Sequence, residues 1–213
     1  MKTSDLFEKE IGYIENETIR DIVRDTLNAA PECIATIPAS SSGKYHPKAD
    51  LGEGGLVRHV RTVTAIAYDL MQSNCFRDIA LGTTFTEQFV NEIDEIMSIY
   101  QDAALAACIL HDCCKPDDSP KHSTVFDHPL KAAKLFKETA KDYINKDNME
   151  YMKEIIPLIY NSIAAHMGRW NTASYAKGII LPEPRKGIEV FVHLCDYIAS
   201  RKTIDFNFEE YDK

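Results

Sequence analysis

Apolar residues recur at spacings of three and four along most of the chain, and this spacing limits the fold more than any other feature. Residues at such spacings share one face of an α-helix. The sequence contains no internal repeat and no low-complexity tract. We therefore predict an all-α fold. The pattern is clearest in two stripes: Ile19, Ile22, Val23 and Leu27, and then Leu56, Val60, Val63, Ala67 and Leu70.

Capping and turn residues indicate where the predicted helices begin. Gly54-Gly55 precedes the second stripe, Thr84 and Glu87 form a capping box ahead of the next helix, and Pro129 suits a first helical turn. The four later helices are predicted over residues 102–114, 129–143, 149–167 and 188–202. Three segments lack helical spacing and are predicted to form loops that wall a pocket: residues 38–55, 115–127 and 168–187.

Composition restricts the class of protein. The chain has 213 residues, of which 45% are hydrophobic, enough for the core of one compact domain. A net charge of -9 opposes binding to duplex nucleic acid. The six cysteines include no Cys-x-x-Cys pair, so we expect neither a disulfide framework nor a thiolate zinc site. Because no apolar stretch has the length of a membrane span or secretion signal, we expect a cytoplasmic protein without a membrane partner.

Several ionisable residues occupy helix positions where a core normally has aliphatic side chains. His59, His166 and Asp196 lie on apolar helix faces, and the adjacent His111 and Asp112 follow a buried, Ala-rich segment. An unpaired carboxylate on an apolar face is costly unless a cation, a proton or hydrogen bonds offset its desolvation. A mixed set of imidazoles and carboxylates suits Mn, Fe, Co, Ni or Zn. These residues therefore predict a metal site.

Each of these residues, taken singly, also has an interpretation without a metal. A lone inward histidine such as His59 or His166 is often a hydrogen-bonded core residue. Asp196 alone could pair with Arg61 or Arg201, or cap a neighbouring helix. The order and spacing of the whole set favour the metal site over these separate interpretations.

That order resembles the motif of the HD-domain metal-dependent phosphohydrolases, which is His, then His-Asp, then Asp on successive helices. The matching segments are GGLVRHVRTV, ACILHDCCKP and VHLCDYIASR. Members with two metals have two further histidines, and FDHPLKAA and AAHMGRW are similar to that pair. The resemblance implies one domain over residues 1–213, with 1–37 as an N-terminal helical extension and 38–204 as the HD core. It implies six metal ligands: His59, His111, Asp112, His128, His166 and Asp196.

Within this superfamily the chain most resembles the HD domain of certain bacterial 3'-5' exoribonucleases, which share a Gly-Gly-Leu before the first histidine. The chain has no room for the OB-fold that accompanies that domain, which argues against a polymeric RNA substrate. Among the six implied ligands, His128 taken alone also has an interpretation without a metal, as a cap of the helix that Pro129 begins. We expect a phosphohydrolase whose partner is a small phosphorylated substrate, either a nucleotide or a short single-stranded oligonucleotide.

The chemistry implied by the resemblance uses two divalent transition-metal ions that activate a water molecule and clamp a phosphoryl oxygen. We predict Asp112 and Lys115 as catalytic residues, Asp112 as the bridge between the ions and Lys115 as the partner of phosphate charge. We predict Lys44, Lys115 and Arg169 as substrate-binding residues, although basic residues of this kind are often only solvated. Further candidates for the wall or edge of the pocket are His46, Lys121, His122, Trp170, Tyr175 and His193.

Two other functions fit the same residues. Some HD proteins use iron for oxidation, so a di-iron oxygenase is one alternative. The other is a helical binding module without catalysis, in which the His and Asp residues hold a structural metal or sense a ligand. Lys115, Arg169 and the three long loops favour an enzyme over this module.

Overall fold

The computed structural model describes residues 2–40, 43–81, 93–116, 124–176 and 178–203. Within these ranges the chain forms helices and loops and no β-strand, which confirms the all-α prediction. No helix in the same ranges is both long and apolar enough to cross a membrane. The α-helices are α1 (Glu8–Ile11), α2 (Glu17–Ala29), α3 (Gly55–Met71), α4 (Asn74–Leu81), α5 (Ile93–Leu110), α6 (His128–Ala140), α7 (Met149–Ala165) and α8 (Gly187–Ala199). Short 3-10 turns cover Thr3–Phe7, Glu32–Ala35, Lys48–Leu51, Lys141–Tyr143 and Gly168–Trp170.

Helix α5 lies at the centre of the fold and packs against α2, α3, α7 and α8. Every residue of α5 from Asp102 to Leu110 is buried. The distance between packed helices depends on the side chains at the contact, so small residues allow a close approach on several sides. The alanines of this segment are Ala103, Ala104, Ala106 and Ala107.

The predicted helix ends agree with the structure to within a few residues at most positions. The helix predicted over 129–143 is α6 followed by a 3-10 turn, and Pro129 lies in its first turn. The helix predicted over 102–114 is the C-terminal half of α5, and the chain continues as hydrogen-bonded turns beyond Leu110. Thr84 and Glu87, the predicted capping box, lie outside the described residues.

The N-terminal helical segment packs into the same core as the later helices. Phe7, Ile11 and Ile14 are buried there, and α2 contacts both α5 and α6. The segment therefore supports the helices from which the candidate ligands project.

Candidate metal centre

Five helices bring together the six side chains predicted as metal ligands. One comes from α3, two from the turn after α5, one from the start of α6, one from the residue after α7 and one from α8. Five are buried and the last is partly exposed: His59, His111, Asp112, His128, His166 and Asp196. The structure therefore places side chains that are far apart in the sequence in one cluster.

Asp112 lies at the centre of this cluster. Its Oδ1 is 2.9 Å from His128 Nε2 and 3.6 Å from His166 Nε2. Its Oδ2 is 3.4 Å from His111 Nε2 and 3.9 Å from His59 Nε2. Each carboxylate oxygen therefore faces the ring nitrogens of two histidines.

Asp196 faces the cluster from α8. Its Oδ1 lies 3.0 Å from His59 Nε2 and 3.9 Å from His111 Nε2. Arg61, one of the arginines considered as its partner, has its Nε 3.1 Å from Glu10 Oε1 instead. The position of Asp196 is therefore explained by the histidines.

Three of the histidines are oriented in the same way by the backbone. In each, Nδ1 lies within hydrogen-bond distance of the carbonyl oxygen three residues earlier. A carbonyl oxygen only accepts, so Nδ1 carries the hydrogen and Nε2 of the neutral ring directs a lone pair into the cluster. This is the arrangement by which metal-binding histidines are commonly held. The pairs are His111 with Cys108 at 2.8 Å, His128 with Val125 at 2.7 Å and His166 with Ile163 at 2.8 Å.

Four buried atoms of the cluster make no hydrogen bond within the described part of the chain: His59 Nδ1, His111 Nε2, His128 Nε2 and Asp112 Oδ1. Although His128 Nε2 is close to Asp112 Oδ1, both atoms present lone pairs when the ring is neutral. Buried acceptors without donors are costly, and a cation between them removes that cost. Within the six residues, two overlapping groups have ligand atoms within 4.8 Å of one another: His59, His111 and Asp196, and His111, Asp112 and His166. The cluster can therefore hold a metal ion.

The two carboxylates are held in their ionised form. Burial opposes ionisation of Asp112, but the positive charge of Lys115 and the contacts with His111 and His128 keep its pKa well below the usual range. Burial also opposes ionisation of Asp196, but the hydrogen bond with His59 and the contacts with His111 and His166 keep its pKa far below the usual range. Ionised carboxylates are the form that binds a cation.

The histidines differ in their protonation. Burial favours neutral His59, but its contacts with Asp196 and Asp50 outweigh burial and raise its pKa to about 9. Burial lowers the pKa of His128 and outweighs the opposing effect of Asp112. His128 is therefore neutral at physiological pH and available as a ligand, whereas a cation at His59 Nε2 would have to displace a proton.

Asp50 is part of this site and was not found by sequence reasoning. It is buried, and its Oδ2 is 3.6 Å from His59 Nδ1 and 3.4 Å from His46 Nδ1. The loop that carries it folds tightly against the start of α3, where a Cβ on Gly55 would lie 2.1 Å from the Asp50 carbonyl oxygen. The Gly54-Gly55 pair was the only sequence signal of this close approach.

His193 lies outside the cluster but supports it. Its Nδ1 donates to the backbone carbonyl of His166, at 2.6 Å. Gly168 has a φ of +56° and packs against the imidazole, such that a Cβ there would lie 2.2 Å from His193 Cε1. A side chain at residue 168 would therefore displace His193 from the backbone of His166, which is one of the candidate ligands.

A cavity of about 380 Å³ opens beside the cluster. Its lining includes Asp112, His128, His166 and Asp196, together with Lys115, whose Nζ is 2.5 Å from Asp112 Oδ2. Water and a small ligand can therefore reach the carboxylates through this cavity. The cavity also receives His46, Trp170 and Tyr175 from the predicted loops.

Two of the predicted substrate-binding cations lie at the rim of this cavity. Lys44 Nζ is 5.0 Å from the centre of the Tyr45 ring, and the Arg169 guanidinium is 4.5 Å from the centre of the Trp170 ring. Both rings line the cavity. Arg201, the second arginine considered as a partner of Asp196, lies over aromatic rings of the same rim. Lys121 and His122 lie outside the described residues.

The site thus combines a buried set of nitrogen and oxygen ligands with a cavity and a lysine. Such a set suits a hard or borderline divalent cation, and the cavity gives a small molecule access to it. Comparison of the chain with models of protein families, with curated proteins and with solved structures found no match.

Proposed function

We propose that the protein is a metal-dependent phosphohydrolase that acts on a nucleotide or short oligonucleotide phosphoester, as its resemblance to the HD-domain family implies. One observation carries the proposal: Asp112 has histidine nitrogens near both of its oxygens and Lys115 on its cavity side. A carboxylate with ligands on both sides suits a bridge between two divalent ions.

The six clustered residues would hold the ions, and the chain's other groups would bind the substrate. A bound divalent cation supplies Lewis acidity and lowers the pKa of a water molecule. Lys115 places an ammonium group at the cavity wall, where it can donate to a phosphoryl oxygen as negative charge develops. The side chains of Lys115 and Asp112 are only 12% and 2% exposed, and a charge contact that is screened from bulk water in this way is stronger.

The net reaction adds water across a phosphorus–oxygen bond. The oxygen of water bonds to phosphorus, the ester oxygen leaves with the electron pair of the broken bond, and it takes up a proton to become an alcohol. Asp112, with its pKa held low, remains ionised throughout. A phosphomonoester therefore gives an alcohol and inorganic phosphate, and a phosphodiester gives an alcohol and a phosphomonoester.

The test is hydrolysis of a panel of phosphoesters by the wild-type protein supplied with Mn, Co, Ni or Mg. We expect metal-dependent release of phosphate or nucleoside, and loss of it in Asp112→Ala. Asp102→Asn is the matched control, because Asp102 is a second buried aspartate of the same helix region and lies outside the cavity. Equal activity of wild type and Asp112→Ala would overturn the proposal.

The same donor set also accepts iron, so oxidation chemistry is the rival function to be tested. Protein purified without oxygen would then contain iron, show an iron absorption spectrum and take up oxygen in the presence of substrate. Metal binding without turnover in either assay would reduce the function to that of a metal-binding helical module.

A further inference from the structure

An aromatic wall runs along the cavity beside the metal centre. It is formed by Tyr45, Trp170, Tyr197 and Arg201, all of which line the cavity. The Trp170 and Tyr197 rings are nearly parallel, with centroids 5.8 Å apart and an interplanar angle of 24°. The Tyr45 ring is 6.2 Å from that of Trp170. Three separate parts of the chain therefore contribute aromatic rings to one surface.

The guanidinium group of Arg201 lies close to all three rings. It lies 4.1 Å from the centre of the Tyr197 ring, 5.5 Å from Tyr45 and 5.8 Å from Trp170. The guanidinium is fixed by hydrogen bonds from Nε to the Tyr197 carbonyl and from one Nη to Ser200 Oγ. A planar cation held close to aromatic rings offers a stacking surface rather than a solvated charge.

The wall is not closed off by its own packing. Tyr45 is 42% exposed, and the other members border the same cavity as Asp112 and Lys115. A second ring pair, Phe126 and Tyr175, also lines the cavity, with centroids 6.0 Å apart. The cavity thus has charged groups at one part and flat apolar surfaces along another.

Positively charged side chains lie next to the aromatic wall, although the whole chain has a net charge of -9. Lys44 and Arg169 lie over the Tyr45 and Trp170 rings, and together with Arg201 they lower the pKa of Tyr45, mainly through Lys44. A positive rim on an acidic protein favours entry of an anionic ligand at this point.

We propose that the aromatic wall is a nucleobase subsite, and that the ligand of the cavity is a single nucleotide unit whose phosphate faces Lys115 and Asp112. Bases stack on aromatic rings and on arginine planes irrespective of their identity. A cavity of about 380 Å³ lies in the lower part of the range for small-molecule sites, which favours one nucleotide over a longer chain. This inference rests on the proposed phosphohydrolase function for the role of the phosphate end, but the wall can be tested without catalysis.

The chain contains a built-in reporter, because Trp170 is its only tryptophan. We would titrate the metal-loaded wild-type protein with adenosine or cytidine, which have a base and no phosphate, and follow the tryptophan fluorescence. A free tryptophan derivative titrated in parallel corrects for absorption by the nucleoside. We expect saturable quenching by both nucleosides and no change with ribose 5-phosphate, which has no base.

Two variants and a control locate the binding surface. Tyr197→Leu removes the ring nearest Arg201, and Tyr45→Leu removes an exposed ring whose loss leaves the core intact. Each should weaken nucleoside binding at least about fivefold, as expected for one lost stacking contact. Tyr68→Leu is the control, because Tyr68 stacks on Tyr13 beside another cavity. Circular dichroism melts show whether each variant is folded, and Tyr45→Leu decides if Tyr197→Leu is not.

The outcomes separate this inference from the proposed function. Absence of saturable quenching in the wild type, or unchanged affinity in Tyr45→Leu, would overturn the nucleobase subsite even if phosphoesters are hydrolysed. Nucleoside binding without any hydrolysis would support the subsite and overturn the phosphohydrolase. If both hold, Tyr45→Leu should lower the kcat/KM for a nucleoside monophosphate more than that for ribose 5-phosphate, and Tyr68→Leu should leave both unchanged.

Discussion

Two buried aspartates lie ten residues apart, one in the C-terminal half of α5 and one in the turn that follows this helix, and their oxygens have opposite kinds of partners. Asp102 and Asp112 are each 2% exposed. The two oxygens of Asp102 accept backbone N–H groups, from Glu15 at 2.7 Å and from Asn16 at 2.9 Å. Asp112 contacts Lys115 and four histidine nitrogens, with one oxygen that accepts no hydrogen bond in the described part of the chain.

This difference separates a structural carboxylate from a candidate ligand. Burial raises the pKa of Asp102, and its backbone hydrogen bonds offset that only in part. Burial has the same tendency at Asp112, but the charge of Lys115 and the contacts with the neighbouring histidines reverse it. Burial of a carboxylate is therefore not itself a sign of function. The sign is a set of neighbours that leaves lone pairs unpaired around it.

The largest expected difference between the two sites is in metal binding. Asp112→Asn removes the charged central ligand, so we expect the metal affinity to fall by more than about 100-fold, beyond the loss typical of an outer-shell substitution. Asp102→Asn should retain the wild-type metal content. Metal analysis after dialysis, followed by competition with a chelator, measures both. Equal metal content in the two variants would contradict the assignment of Asp112 as a ligand.

A second expected difference is in pH dependence. The contribution of His59 to the stability of the metal-free protein is full below about pH 6.5 and is lost as the pH rises through its raised pKa of about 9. Metal affinity has the opposite sign, because a cation at Nε2 must displace that proton. Affinity should therefore rise about tenfold per pH unit up to about pH 9.

Titration of the protein with Mn or Co at several pH values measures this dependence. Asp102→Asn should give the same profile as the wild type, since Asp102 has no contact with His59. Asp196→Asn removes the closest carboxylate partner of His59, so its profile should be shifted to lower pH. Binding of a metal at His59 Nε2 releases a proton, so the affinity must depend on pH below the pKa of this group. A wild-type metal affinity that is constant between pH 7 and 9 would therefore show that His59 is not a ligand.

Sequence periodicity could predict most of the cluster because the face of a helix is a local property. His59, His166 and Asp196 point inward since they lie three or four residues from apolar neighbours on α3, α7 and α8. Asp102 and Asp112 both interrupt the same apolar segment, and their roles differ only through partners distant in sequence. The residues bonded to Asp102 lie 86 and 87 positions earlier, a distance over which periodicity carries no information.

The loops were least accessible to prediction for the same reason. Asp50 reaches His59 only because the loop before α3 folds back against Gly55. Tyr45 meets Trp170 across 125 residues of sequence, and no local pattern indicates that contact. Composition was enough to predict that these loops form the walls of a pocket. It could not predict which side chains enter the pocket, because that depends on tertiary packing.

The third prediction concerns stability in the absence of metal. Asp102→Asn places an amide N–H against a backbone N–H of Glu15 or Asn16, so a buried donor loses its acceptor. We expect the free energy of unfolding to fall by about 2 kcal/mol. Asp112→Asn should lower it at least as much, because Lys115, whose side chain is only 12% exposed, then loses its ion-pair partner. Urea unfolding in the presence of a chelator measures both values, and a smaller loss in Asp112→Asn would contradict a stabilising ion pair.

The smallest expected effect is at Asp50, which faces the Nδ1 side of the His59 ring, whereas Asp112 faces the Nε2 side. Asp50 Oδ2 faces His59 Nδ1 at 3.6 Å and His46 Nδ1 at 3.4 Å, so it orients the imidazole without occupying the centre of the cluster. Asp50→Asn keeps the size of the side chain and removes its charge. We expect about a tenfold loss of metal affinity with unchanged stoichiometry, as for other outer-shell carboxylates. Asp21→Asn, at the exposed end of a salt bridge with Arg24, is the surface control. Loss of a whole equivalent of metal in Asp50→Asn would instead make Asp50 a direct ligand, together with His46 and His59.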